Sequence, residues 1–251
     1  METLKIFGGN KVKKPDLDGE GRRNLGSGPY EYYFYGARPN EELCFDSLSS
    51  FTVYLLSKAE NVLVRAQGIH EPLDEGGALQ SEGAPVHLSV TAGPARFLVA
   101  GTKRSARRKK GLCWTRPQDL YQVSKPWGHE LWINGQHPTY AFKQIFVKSG
   151  TRTSLQYHNL KQETNFLIRG SIKLHYKNKD VANNAVSPSD ISDVQLQAVS
   201  TIDVSPGTLH RIEALTDVLL FETSTPHLDD VIRVSDDTER QSGRVKEEHP
   251  S

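Results

Sequence analysis

Only two cysteines, Cys44 and Cys113, occur among the 251 residues. Two thiols build no disulfide framework, and a lone pair this far apart lacks the spacing of a cysteine metal site. No apolar run approaches the roughly 20 residues needed to span a bilayer. The opening stretch, Met1 to Asp18, is polar and lysine-rich and lacks the apolar centre of a signal peptide. An excess of one charge is missing as well: 31 Lys and Arg stand against 30 Asp and Glu, a net charge of +1. That balance argues against a dedicated nucleic-acid or membrane-surface protein. No long stretch repeats its apolar residues with the period of a helix, which argues against a helical fold. These absences together fit a cytoplasmic enzyme with neither nucleic acid nor membrane as partner.

What is present is a series of short apolar runs divided by turn residues. Tyr32–Tyr35, Phe51–Leu56, Val62–Val64, His87–Val90 and Ala95–Ala100 read as strands, because they are short and rich in β-branched and aromatic residues. Gly76-Gly77 and Gly93-Pro94 mark turns. A second series follows at Ala141–Val147, Thr153–Tyr157, Thr164–Ile168, Ser171–Tyr176, Thr201–Val204 and Val218–Thr223. Between the two series stands the basic run Lys103 to Lys110. Such a run is either an arm for phosphate or nucleic acid, or a solvated linker. It contains no aromatic residue for base stacking, so it reads as a linker. The polar stretch Asn178–Gln197 reads as a surface loop. The expected organisation is an all-β chain with a tail and first edge strand over 1–28 and a β unit over 29–102. A basic linker over 103–120, a second β unit over 121–240 and a disordered tail over 241–251 complete it.

One constellation carries chemistry. Gln156 and His158 are two apart, so on a strand they face the same side. A short turn through Asn159 and Leu160 brings Glu163 beside them, and Gly170 permits a tight turn into the next strand. Far along the chain, the turn at Pro206-Gly207 aims His210 inward. One amide oxygen, two imidazoles and one carboxylate suit a divalent cation of borderline softness. Against this, a single strand histidine is ordinarily a surface or core residue.

The segment resembles the cupin superfamily. Its first motif has a Gly, two ligand positions two apart, a Glu and a Gly, placed here at Gly150, Gln156, His158, Glu163 and Gly170. Its second, Pro-x-Gly-x-x-His, is loosely matched by Ser205-Pro206-Gly207-Thr208-Leu209-His210. Most cupins have His where this chain has Gln156. The cupin domain of mannose-6-phosphate isomerases has Gln there, in a Ser-Leu-Gln-x-His run like Ser154-Leu155-Gln156-Tyr157-His158. Four further features look like the type II form of that isomerase: Lys125-Pro126-Trp127-Gly128, Phe142-Lys143-Gln144, His210-Arg211 and the tail Leu228 to Asp237 with Arg240. The resemblance spans roughly Val123 to Arg240. Departures are Lys161, near the place of a family Arg, and Thr164-Asn165-Phe166, where an aromatic is usual after the Glu. The fold the resemblance implies is two cupin jelly-roll barrels, the first degenerate. His70 and His87 are too isolated to form a ligand set in that first barrel. Its expected role is to pack on the second barrel or to build a dimer sheet.

The resemblance further implies a metal-dependent isomerase interconverting an aldose and a ketose phosphosugar such as mannose-6-phosphate. One divalent ion is expected, zinc ahead of Mn, Fe, Co or Ni, held by Gln156, His158, Glu163 and His210. Lys143 and Arg211 are the cationic candidates for catalysis, although strand alternation beside His210 would turn Arg211 outward. Lys125, Glu130 and Lys161 are candidates for substrate binding. Trp127 and Trp132 either stack on a sugar or plug the barrel end. Rival readings are another metal-dependent cupin enzyme, a dioxygenase or a sugar epimerase, and a non-catalytic sugar-binding bicupin. A homodimer is what the resemblance implies for assembly.

Overall fold

The computed structural model describes residues 3–5, 11–26, 28–58, 61–103, 111–135, 137–177 and 187–248. Among them 23 strands follow one another. The first twelve are β1 (Thr3–Lys5), β2 (Lys11–Lys13), β3 (Gly21–Asn24), β4 (Glu31–Ala37), β5 (Glu42–Phe45), β6 (Ser50–Lys58), β7 (Val62–Ala66), β8 (Ile69–Leu73), β9 (Ala78–Glu82), β10 (Val86–Val90), β11 (Ala95–Thr102) and β12 (Gly111–Thr115). The rest are β13 (Tyr121–Lys125), β14 (Gly128–Asn134), β15 (Ala141–Val147), β16 (Leu155–Tyr157), β17 (Glu163–Arg169), β18 (Ser171–Lys177), β19 (Ser192–Gln197), β20 (Ser200–Val204), β21 (Leu209–Ala214), β22 (Val218–Ser224) and β23 (Ile232–Ser235). The helical turns among these residues are three-residue 3-10 turns, and no helix is long and apolar enough to cross a membrane.

The strands form two sandwiches of antiparallel sheets. The first pairs a six-stranded sheet, β12-β9-β6-β11-β4-β3, with a four-stranded one, β5-β10-β7-β8. The second pairs an eight-stranded sheet, β1-β2-β20-β17-β22-β15-β14-β13, with a five-stranded one, β19-β18-β21-β16-β23. The interior of the first sandwich is filled by Phe45, Phe51, Val53, Val64, Leu88, Phe97 and Val99, which leaves an apolar core where a barrel could have held a site.

Strand alternation decides how the sandwiches meet. In β6, Phe51, Val53 and Leu55 point into the first core while Tyr54 points out; in β11, Phe97 and Val99 point in while Leu98 and Ala100 point out. The outward residues pack on Phe142, Phe166 and Phe221 of the second sandwich, all fully buried. Burial of each such ring contributes roughly 1.5–3 kcal/mol. Tyrosine hydroxyls tie the same face: Tyr32 donates to the Phe221 carbonyl at 3.2 Å, Tyr54 donates to Gln144 at 3.0 Å, and Tyr140 meets Thr52 at 2.9 Å. An apolar interface tied by these hydroxyls favours a fixed packing of the two sandwiches over a hinge.

Three expectations change. Gly111–Thr115, read as part of a linker, is a strand paired with β9 in the first sandwich, and residues 104–110 lie outside the described residues. Ser192–Gln197, read as loop, is a strand on β18, and 178–186 lie outside the described residues. The first strands serve the second sandwich rather than their neighbour in sequence: Val12 pairs with Ile202 and is buried in the second core. Gly170 makes the turn between β17 and β18 at φ +95°, where a side chain would also strike the Asp217 carbonyl.

Candidate metal centre

The eight-stranded sheet has two buried faces, and their assignment follows from period two. Phe142, Phe166 and Phe221 face the first sandwich, so Lys143, Asn165 and Glu222 face the interior of the second. The register places these three in one row: Asn165 opposite Glu222, Glu222 opposite Lys143, and Lys143 opposite Trp132. Deeper positions, Ile145, Leu167 and Leu220, are apolar and belong to the core. The barrel therefore has an apolar floor and a polar mouth, and a cavity of about 110 Å³ opens at the polar end.

Three of the four predicted ligands converge beside that cavity, and Glu163 and His210 line it. The ligand atoms of His158, Glu163 and His210 lie within 4.8 Å of one another, and all three residues are buried. His158 Nε2 is 3.5 Å from Glu163 Oε2, and His210 Nε2 is 3.3 Å from Glu163 Oε1. Gln156 sits opposite His210 in the ladder and lines the same cavity. Each imidazole uses Nδ1 on a backbone carbonyl, His158 on Asp230 and His210 on Thr208 at 3.0 Å. A carbonyl only accepts, so Nδ1 carries a proton and Nε2 is the atom that faces Glu163. His158 Nε2 is buried and makes no hydrogen bond. A buried, unsatisfied imidazole nitrogen aimed at a carboxylate is what a ligand set looks like.

Electrostatics agree. Lys161 Nζ lies 2.5 Å from Glu163 Oε2 and 2.7 Å from Glu222 Oε1. Burial opposes the Lys161 charge, but the two carboxylates outweigh it and raise its pKa. Burial likewise opposes ionisation of Glu163, yet Lys161, then His158 and His210, hold it well below the carboxylate range. Burial lowers His210, and Glu163 more than restores it. Two glutamates and one lysine leave a net charge of −1 on the buried set, which a cation would offset. The residues present fit a divalent metal.

The other candidates fall at the mouth, with one exception. Lys125, Glu130, Trp132, Lys143 and Lys161 all line the cavity. Glu130 accepts from Lys143 at 3.2 Å and from Trp132 Nε1 at 2.9 Å. Trp127 lines the cavity from the core side, and Trp132 carries the Lys143 ammonium over its ring at 4.7 Å. Arg211 is the exception. It points to the face opposite His210, where Nη2 donates to the Ser235 carbonyl at 3.0 Å, and it does not line the cavity. Its assignment to catalysis is corrected by the alternation of β21. Lys161 is likewise taken up by Glu163 and Glu222, as a charge-balancing group more than a substrate contact.

Sequence reasoning missed Glu222, Arg233, Arg240 and Arg244, all lining the cavity. Glu222 had a signal, a carboxylate interrupting the apolar run Val218–Phe221. The tail matches a motif in the sequence, and the structure gives its physical role. Asp230 accepts from the backbone NH groups of Asn159, Leu160 and Lys161 at 3.1, 2.6 and 2.9 Å, fixing the turn between His158 and Glu163. Ser154 Oγ donates to Asp236 at 2.6 Å and accepts from Arg233 and Arg240 at 3.1 and 2.9 Å.

Glu130 gives a pH prediction. Burial pushes its carboxyl up, but Lys143 and Lys125 outweigh that and hold it at about 2, against an ordinary 4.5. A depressed folded-state pKa stabilises above the unfolded value and is lost as pH falls toward the folded one. The stability difference between wild type and Glu130→Gln in urea titrations is expected to be on the order of 3 kcal/mol near neutrality. It should shrink as pH falls from 4.5 to 2; a constant difference would refute the ion-pair assignment.

A two-sheet antiparallel jelly roll with an imidazole and carboxylate cluster at one end defines a cupin-fold protein with a candidate metal centre. No family model and no curated protein matches the chain. Solved structures share the fold across both sandwiches. An oxalate decarboxylase from Lactobacillus farciminis, in complex with formate, is 12% identical over 92% of this chain and 86% of its own, with a TM-score of 0.61. The Bacillus subtilis oxalate decarboxylase, with Mn(II) centres, is 11% identical over 88% of this chain and 74% of its own, with a TM-score of 0.60. Ylba of E. coli is 13% identical over 90% and 93%, with a TM-score of 0.64. At these identities the shared property is the fold.

Proposed function

We propose that this chain is a metal-dependent isomerase that interconverts an aldose and a ketose phosphosugar, with mannose-6-phosphate as the first substrate to try. The observation that carries the reading is one cavity lined by both a ligand cluster and a set of cations. Gln156, Glu163 and His210 line it, with His158 buried within ligand reach of Glu163 and His210, and Lys125, Lys143, Arg233, Arg240 and Arg244 surround its mouth. An oxygen-rich anion fits such a lining. The Gln156-x-His158 pattern favours the isomerase among metal-dependent reactions.

Isomerisation moves a proton between adjacent carbons and builds negative charge on two substrate oxygens. A divalent ion held by Gln156, His158, Glu163 and His210, zinc first among the choices, would supply Lewis-acid stabilisation of that charge. Lys143 presents its ammonium to the same space, oriented by Glu130 and the Trp132 ring. Glu222 stands beside it in the ladder, with Asn165 next beyond, and the two hold polar atoms where a sugar hydroxyl would lie. Lys161 keeps Glu163 ionised as a ligand. The apolar floor excludes water from below.

A second reading is a metal-dependent enzyme acting on a small carboxylate. It draws on the manganese-containing oxalate decarboxylases that share the fold, and the cationic mouth would serve it equally. Metal analysis of the purified protein followed by conversion of mannose-6-phosphate to fructose-6-phosphate separates the two. Stoichiometric metal with turnover is expected. Metal without turnover overturns the isomerase reading in favour of the carboxylate one, and absence of metal under every loading condition leaves a sugar-binding barrel.

A further inference from the structure

The segment expected to be a disordered tail lies across the cavity mouth. Gly243, Arg244 and Val245 line the cavity. Arg244 pairs with Asp229 at 2.7 Å, and Arg233 donates to the Gly243 carbonyl at 2.9 Å. The 3-10 turn Lys246–Glu248 then delivers one carboxylate between two cations. Glu248 Oε2 is 2.7 Å from Lys125 Nζ, and Glu248 Oε1 is 3.1 Å from Arg240 Nη1. The three side chains are only 12%, 10% and 9% exposed. Lys125 ends β13 and Arg240 follows β23, so two separate elements converge on one anion.

Two further observations bear on what that anion stands for. None of the residues in the turn is buried, so little apolar area is lost on lifting it. With the segment in place the cavity is about 110 Å³, below the roughly 300 Å³ at which small-molecule pockets usually begin. A phosphosugar needs more room than the closed mouth leaves.

We propose that Lys125 and Arg240 form a phosphoryl-binding subsite, and that the Glu248 carboxylate fills it as a displaceable plug. The choice of a phosphoryl group rests on the phosphosugar reading; the subsite and its occupant rest on the geometry. Carboxylate and phosphomonoester both offer paired oxygens to a guanidinium and an ammonium, and the dianionic phosphate offers more charge. A tethered competitor acts at an effective concentration in the millimolar range, so a phosphorylated substrate at comparable concentration displaces it.

The test uses the full-length protein as purified, with inorganic phosphate as the probe in isothermal titration at constant ionic strength. Glu248→Gln is expected to bind phosphate about tenfold more tightly than wild type, as for a seat that is open about a tenth of the time. Lys125→Gln in the Glu248→Gln background is expected to lose that gain. Equal affinity in wild type and Glu248→Gln overturns the plug, and equal affinity with and without Lys125 overturns the subsite. Acetate bound as tightly as phosphate overturns the phosphoryl assignment. Hydrogen exchange on the wild type needs no variant: saturating phosphate is expected to speed exchange across Gly243–Glu248, and unchanged exchange overturns displacement. None of these readouts involves turnover. An inactive isomerase assay therefore leaves the subsite standing, and a failed phosphate titration leaves the isomerase reading to its own assay.

Discussion

His158→Ala is expected to purify without stoichiometric divalent metal and to show no isomerase turnover under conditions where the wild type has both. Loss of an outer partner of a metal ligand typically costs about 10–100-fold in affinity, and loss of a ligand itself costs more. The geometry makes His158 the sharpest position to cut. Its Nδ1 is committed to the Asp230 carbonyl, and its Nε2 is buried, unsatisfied and 3.5 Å from Glu163. The adjacent Asn159 and Leu160 cannot substitute for it, because they are exposed and held in a turn by Asp230. Cobalt titration followed by metal analysis of the washed protein measures the effect directly. Retention of one metal per chain in the variant would move the centre elsewhere and remove the basis of the proposed function. The same substitution also removes the bond to the Asp230 carbonyl, so urea titration of the metal-free variant runs beside the metal analysis to show that metal is lost from a folded chain.

The residues that were legible in the sequence are those whose meaning is local. Ala141–Val147 alternates around apolar residues, and its strand has those same bounds. Gln156, His158, Glu163 and His210 fell within two short motifs, and three of them meet through buried atoms. What the sequence hid is what depends on distant pairing. β2 pairs with β1 on one side and on the other with β20, about 190 residues on, and nothing in Lys-Val-Lys states that second partner. The strand Gly111–Thr115 follows directly on a basic run whose charge dominated the reading. The mouth was hidden for a different reason. Its cations sit in a polar tail with no periodicity, ordered by ion pairs to Asp229, Asp236 and Glu248 that only the folded chain brings together. Arg211 shows the converse: alternation alone turned it from the site, and a motif match pulled it back in.

Lys161→Met is expected to destabilise the metal-free protein by about 3–5 kcal/mol, the usual cost of stripping one partner from a buried ion pair. At this chain length that is a fall in Tm of roughly 10 °C. The lysine is almost fully buried, and its ammonium is the one cation between Glu163 and Glu222 at 2.5 and 2.7 Å. Without it, two buried carboxylates are left with no balancing ammonium, and one of them must take up a proton. That response sets the pH dependence. A carboxylate whose folded-state pKa is raised above its unfolded value destabilises at high pH and recovers as pH falls, so the deficit should be larger at pH 8 than at pH 5. Divalent metal should shrink the deficit, because it supplies the missing positive charge on the Glu163 side. Adding Glu222→Leu to the variant should restore most of the loss, since replacing both members of a buried pair by apolar groups is often neutral. A small effect of Lys161→Met, independent of pH and metal, would show that the lysine does not balance these charges and would detach Glu222 from the centre.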